Sequence, residues 1–241
     1  MSEKETQETQ ETQESQQEEC TYRKTQKIEI NTKSLENEIE ISKTIESKLK
    51  ESKYYANFSH IIKSDLINVS QIKEDELSEC NLSSETNESK YILCTYNNRP
   101  KIITKITDYL FKKSNELDIK IFIKIALDCY ITLRESLQEL YKITNIVHHS
   151  INNDNIIVSE EQIPIIRNFK EAKIKTDPNE KIEKSKEIAS TKDIHALTKL
   201  FIDILTNIKD DTGTVERYKQ ILTKDLKKET KEREEVQKLF Q

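Results

Sequence analysis

The chain of 241 residues has one glycine, Gly213, and no tryptophan. At the usual frequency of about 7%, roughly 17 glycines would be expected. A phosphate-cradling loop needs backbone bare of side chains close to the phosphates, so neither a P-loop nor a dinucleotide-binding fingerprint can operate here. No run of about 18 apolar residues occurs, and the first residues are acidic and polar where a signal peptide is basic and then apolar. A soluble, unsecreted, cytoplasmic protein without a membrane partner is therefore expected. The four cysteines, Cys20, Cys80, Cys94 and Cys129, have no CxxC or metal-like spacing. Reduced structural thiols fit that pattern better than a disulfide framework.

What is abundant is charge, 34% of the chain, with a net value of −5. Residues 1–19 hold seven Glu and one Lys, so this stretch carries −6 and the remaining 37 acids and 38 bases nearly cancel. A body so balanced gives no basic face for nucleic acid. Glu-Thr-Gln recurs at 5–7, 8–10 and 11–13, with no apolar residue after Met1, so residues 1–19 are expected to be a disordered acidic tail.

From Tyr22 to Ile30 alternation predicts a strand, and Leu35, Ile39, Ile45 and Leu49 then recur at helical spacing behind Ser34, a candidate cap. Further strands are expected at Phe58–Ile62, with Leu66–Ile72 as a possible partner, and at Tyr91–Tyr96, around a polar stretch at 73–90. Residues 20–96 thus read as a small sheet with one helix. Beyond Pro100 the pattern turns helical, with a long amphipathic helix over Ile119–Ile143. A strand pair at Asn155–Val158 and Ile163–Ile166, a charged linker over 173–186 and a helix from Asp193 to Ile208 follow. The final residues, 224–241, read as a charged terminal helix. No apolar residue lies between Leu226 and Val236, which excludes a coiled-coil seam.

One segment carries chemical information. Residues 146–158, Ile-Val-His-His-Ser-Ile-Asn-Asn-Asp-Asn-Ile-Ile-Val, follow a long helix and enter a hairpin. In pattern and context this stretch resembles the protein-kinase catalytic loop H-R-D-L-x-x-x-N. Residues 165–172, Ile-Ile-Arg-Asn-Phe-Lys-Glu-Ala, resemble the strand and D-F-G element, and Asp193-Ile194-His195-Ala196-Leu197 resembles the start of the buried central helix of the kinase C-lobe. Glu38 stands where the N-lobe helix offers its glutamate, and Tyr91–Tyr96 looks like the last N-lobe strand entering the hinge. The likeness runs over about residues 20–210 and is looser to the divergent kinase-like proteins of large DNA viruses. It implies an α+β, two-lobed fold with an N-lobe over 20–96, a helical C-lobe over 97–223 and a truncated activation segment. A viral protein of this kind would work in the host cytoplasm or the virion.

The departures bear on chemistry. Ser150 replaces the catalytic Asp, whose base role contributes about 10²- to 10⁴-fold. Asn152 replaces the phosphate-neutralising Lys, and Asn168 replaces the metal-binding Asp. Asn155, the family's second metal ligand, is unchanged. His149 and Lys170 replace the Arg of the loop and the Gly of the D-F-G turn. The strand lysine would be Lys24 or Lys27, neither in a V-A-I-K context, and no glycine loop exists. By the resemblance a nucleotide would meet Glu38, Cys94, Tyr96, Asn155 and Asn168, and magnesium would rest on Asn155 and Asn168. The expected function is that of a pseudokinase: a regulatory or scaffolding module whose partner is a protein, such as a kinase or a kinase substrate, with no cofactor. A residual serine/threonine kinase using ATP and magnesium, with Asp154 as its base, is the first alternative. A helical adaptor unrelated to kinases is the second.

Plainer readings exist for several positions. His148 and His149, adjacent in an extended segment, point to opposite sides and lack a third ligand, so they do not make a metal site. The resemblance makes His148 a structural residue bonded to the loop backbone. Glu38 either pairs with a strand lysine or lies on a solvated acidic face with Glu36, Glu40 and Glu46. Asn155 is a ligand or a strand-edge cap. Asp193 is expected as a helix N-cap that also ties down the loop backbone. Asn168 and Phe169 are expected as a packed turn, and Ser150 lacks the oriented base a nucleophile needs.

Overall fold

The computed structural model describes residues 26–67, 91–100, 103–174, 183–210 and 212–238. The tail, Cys20, the strand start at 22–25 with Lys24, Ile72, the polar stretch with Cys80, and linker residues 175–182 lie outside the described residues.

The first elements are β1 (Gln26–Ile30), α1 (Lys33–Leu49), β2 (Ile61–Ile67) and β3 (Tyr91–Tyr96). The strands form an antiparallel sheet in the order β1-β3-β2, in which Ile28 faces Leu93 and Leu66 faces Ile92. Along α1, Leu35, Glu38, Ile41, Ser42, Ile45 and Leu49 recur every three or four residues and are buried. Leu35 packs with Ile61, Ile92, Cys94 and Tyr96, while Ile41, Ile45 and Leu49 join the larger core. Thr32, not Ser34, caps the helix: its extended backbone lets Oγ1 accept from Leu35 N at 3.2 Å, whereas Ser34 lies inside the first turn. No hairpin joins Phe58–Ile62 to Leu66. Residues 61–67 form one strand, and Phe58 bridges to Ile166 instead.

The second set comprises β4 (Thr104–Lys105), α2 (Ile106–Glu116), α3 (Ile119–Thr144), β5 (Ile146–Val147), β6 (Ile156–Val158), β7 (Pro164–Ile166), β8 (Lys173–Ile174), α4 (Glu183–Thr206) and α5 (Thr214–Lys238). Two further small antiparallel sheets, β4-β6-β7 and β5-β8, complete a mixed α+β architecture. The amphipathic face of α3 supplies Phe122, Ile123, Ala126, Tyr130, Leu133, Leu137 and Leu140 to the main core. Tyr130 meets Phe201 of α4 edge-on and shares a hydrogen bond with Thr198 at 2.9 Å. Asn145 ends α3 in the left-handed conformation, and its N–H bonds Tyr141 O.

Three boundaries differ from expectation. The stretch at 173–186 is not wholly a linker, because Lys173–Ile174 pairs with Ile146–Val147. The helix expected from Asp193 begins at Glu183, since the Glu, Lys and Ala residues before Asp193 are good helix formers and contain no Gly or Pro. Asp193 is therefore not an N-cap. The last helix likewise starts at Thr214, ahead of the expected charged segment. Among the described residues no helix is long and apolar enough to cross a membrane.

Candidate functional site

The left-handed turn at Asn145 sends the chain through β5 into a loop at 148–155 whose backbone is held from three directions. Asp193 is 5% exposed, and its carboxylate accepts from His148 N at 2.6 Å and His149 N at 2.9 Å. Burial pushes the Asp193 pKa up to about 6 despite those two donors, which pull it down. His148 is fully buried and bonds Arg167 O through Nε2 at 3.0 Å, while Ser150 N donates to its Nδ1 at 3.3 Å. The carbonyl requires the proton on Nε2 and the Ser150 N–H requires a bare Nδ1, so the ring is neutral, in accord with burial that lowers its pKa to about 4. His149 absorbs the bend at φ 65°. Asn152, which replaces a lysine in the kinase pattern, caps the turn by accepting from Asp154 N at 2.9 Å and Asn155 N at 3.1 Å.

The side chains of Ser150, Asn155 and Asn168 satisfy one another. Asn155 donates through Nδ2 to Ser150 O at 2.8 Å and Ser150 Oγ at 3.0 Å. Its Oδ1 accepts from Asn168 Nδ2 at 3.0 Å. Asn155 is thus a tie between the loop and the 168–169 turn. Asp154 is 71% exposed, and its carboxylate pairs with Lys105 at 2.8 Å.

Asn168, in the left-handed conformation at φ 64°, delivers Phe169 to the core, where its ring lies 4.8 Å from that of His148. Glu38 is not on a solvated face: it is 1% exposed, and its Oε1 accepts from Phe169 N at 3.0 Å. The reason is spacing, since Glu38 follows Leu35 by three and precedes Ile41 by three on the buried stripe. Burial raises the Glu38 pKa, and the Phe169 N–H only partly offsets this. Asn37 adds two clamps, donating to Lys170 O at 3.0 Å and Ala172 O at 2.9 Å.

Of these groups Glu38, Asp154, Asn155 and Asn168 line a cleft of about 200 Å³, together with Lys27, Glu29, Tyr96 and Lys170. Glu29, 9% exposed, is its hub. It pairs with Lys170, accepts from Tyr96 OH at 2.7 Å and lies 3.4 Å from Lys27. Burial opposes ionisation of Glu29, yet Lys27, Lys170 and Tyr96 together hold its carboxyl below the usual range. Of the residues expected around a nucleotide, Glu38, Tyr96, Asn155 and Asn168 line the cleft. Cys94 does not: it is fully buried under the sheet, and burial pushes its thiol up to about 12. Glu29, Asn37 and Arg167 were not legible as site residues. The alternation Gln-Lys-Ile-Glu-Ile places Lys27 and Glu29 on one face of β1 and was the available signal.

Neither a family model nor a curated protein matches this chain.

Proposed function

We propose that this chain is a catalytically degenerate kinase-like module, a pseudokinase that acts by binding a protein partner instead of transferring phosphate. The observation that carries this reading is the Asn155–Asn168 hydrogen bond: at the two positions matching kinase metal ligands, one amide oxygen is already used by the other amide. Both groups are neutral, so neither supplies the charge that holds magnesium in phosphoryl transfer.

Support for a kinase-like frame comes from the order helix, loop, hairpin and turn. It comes also from two contacts that the resemblance implies: His148 bonding the loop backbone at Ser150 N, and Asp193 tying down His148 and His149. The two-lobed division at residues 96 and 97 belongs to the same proposal. Support for degeneracy comes from Ser150, whose hydroxyl accepts from Asn155 where a carboxylate base would act. The cleft, at about 200 Å³, is below the roughly 300–1,000 Å³ of ordinary ligand pockets, which supports a module that works without a nucleotide. What remains is a surface that can occupy or bias a kinase or a kinase substrate.

A second reading, residual phosphotransfer, is favoured by one observation, the exposed Asp154 carboxylate at the cleft. Thermal melting of the full chain with ATP and magnesium, beside a radiolabelled transfer assay, separates the two. The expected result is no transfer and no stabilisation, whereas a ligand at about 100 times its Kd would add about 2.7 kcal/mol. Transfer that disappears in Asp154→Ala would replace the first reading with the second.

A further inference from the structure

The cleft contains a buried acceptor that lacks a donor, beside cations with donors to spare. Glu38 Oε2 is buried and has no hydrogen-bond partner among the described residues, although Oε1 of the same carboxylate is bonded to Phe169 N. Lys27 and Lys170 line the same cleft, and each ammonium has three N–H donors, of which the contact with Glu29 engages one. Arg99 and Arg167 add positive charge to the lining, against Glu29, Glu38 and an Asp154 that is drawn towards Lys105. The lining thus joins ammonium donors to a carboxylate oxygen that requires a hydrogen-bond donor.

A ligand meeting both demands carries a hydroxyl and negatively charged oxygens on one compact centre. A fully deprotonated oxyanion would instead set a lone pair against Glu38 Oε2. We propose that the cleft is a binding site for inorganic phosphate in a protonated form, whose P–OH donates to Glu38 Oε2 while its other oxygens accept from Lys27 and Lys170. Its volume suits a compact tetrahedral anion and bridging water better than a nucleotide. Burial, which raises the proton affinity of Glu38, brings the carboxylate closer to sharing the ligand's proton. The inference does not depend on the kinase-like reading, because it uses only the groups in the cleft.

Sulfate is the discriminating probe, being alike in shape but carrying no proton near neutral pH. The full chain is titrated calorimetrically with sodium phosphate and with sodium sulfate at matched ionic strength. Phosphate should bind saturably and roughly tenfold or more tightly than sulfate, the ratio expected for one charge-assisted hydrogen bond. Glu38→Gln, which offers an amide N–H, should abolish or invert that preference, and Lys170→Met should weaken both anions. Equal affinities in the unmodified chain, or no saturable phosphate binding, would overturn the proposal even if Glu38→Gln fails to fold. A preference that survives in a folded Glu38→Gln would overturn it as well. Phosphate binding without stabilisation by ATP leaves the proposed function in place, and phosphate transfer would remove that function without touching this site.

Discussion

Lys170 and Glu29, 141 residues apart, form an ion pair across the cleft that joins the turn after Phe169 to the first strand. The lysine stands where the kinase pattern has a glycine, and the carboxylate it meets is 9% exposed. Removing Lys170 leaves the buried Glu29 carboxylate with Lys27 alone as counter-ion, and removing Glu29 takes this partner from a half-buried ammonium. A double-mutant cycle of Glu29→Gln and Lys170→Met, followed by urea unfolding, should give a coupling of about 1–2 kcal/mol. A coupling near zero would mean that the pair behaves like an exposed surface contact.

Opposed titrations govern acid stability around the 148–155 loop. Asp193, raised to about 6 from 3.8, binds its proton more tightly when folded, so its contribution to stability grows as pH falls from 6 towards 4. His148, lowered to about 4 from 6.5, binds its proton more weakly when folded, so its contribution is present at neutral pH and shrinks over the same range on acidification. In the intact protein the two slopes largely cancel between about pH 4 and 6. Asp193→Asn removes one of them, and its stability should then fall relative to the parent by about 1.4 kcal/mol per pH unit on acidification. Urea midpoints measured across that range would run parallel for the two proteins if this account is wrong.

Phe169 is fully buried and contacts the rings of His148 and Phe58, with centroids at 4.8 and 6.3 Å. Phe169→Ala should cost about 3–5 kcal/mol through lost burial and the cavity left behind. Phe169→Leu should cost less. Equal losses in denaturant titrations would show that ring volume is not what anchors the turn.

Capping of α1 allows a test between neighbours. Thr32→Ala removes the acceptor for Leu35 N and should cost about 1 kcal/mol, while Ser34→Ala should lie within about 0.5 kcal/mol of the parent. Chemical denaturation of both variants decides it. A larger loss at Ser34 would place the helix start wrongly.

Local order was readable because periodicity is a local property. The spacing of apolar residues gave α3 almost to its ends, the alternation at 91–96 gave β3, and the pair at 156–158 and 164–166 was expected within a residue. The fate of charged groups was not readable in that way. Glu38 and Glu40 are two residues apart on a helix rich in glutamate; spacing sets Glu38 on the buried stripe and Glu40 off it, but the bond to Phe169 N joins a segment 131 residues away. The bonds of Asp193 to His148 N and His149 N, 45 and 44 residues earlier in the chain, are those the resemblance implies, whereas its place inside a helix is not what its own sequence context suggests.

The sequence alone determined that no glycine-cradled phosphate loop exists and that Ser150 and Asn168 stand where the resemblance to kinases has carboxylates, since residue identity suffices for both. The tertiary structure decided what took their place: two asparagines bonded to each other, a lysine turned onto Glu29, and one buried carboxylate oxygen without a donor among the described residues. Such pairings depend on which groups the folded chain brings within about 3 Å, a relation between distant segments that no local pattern encodes.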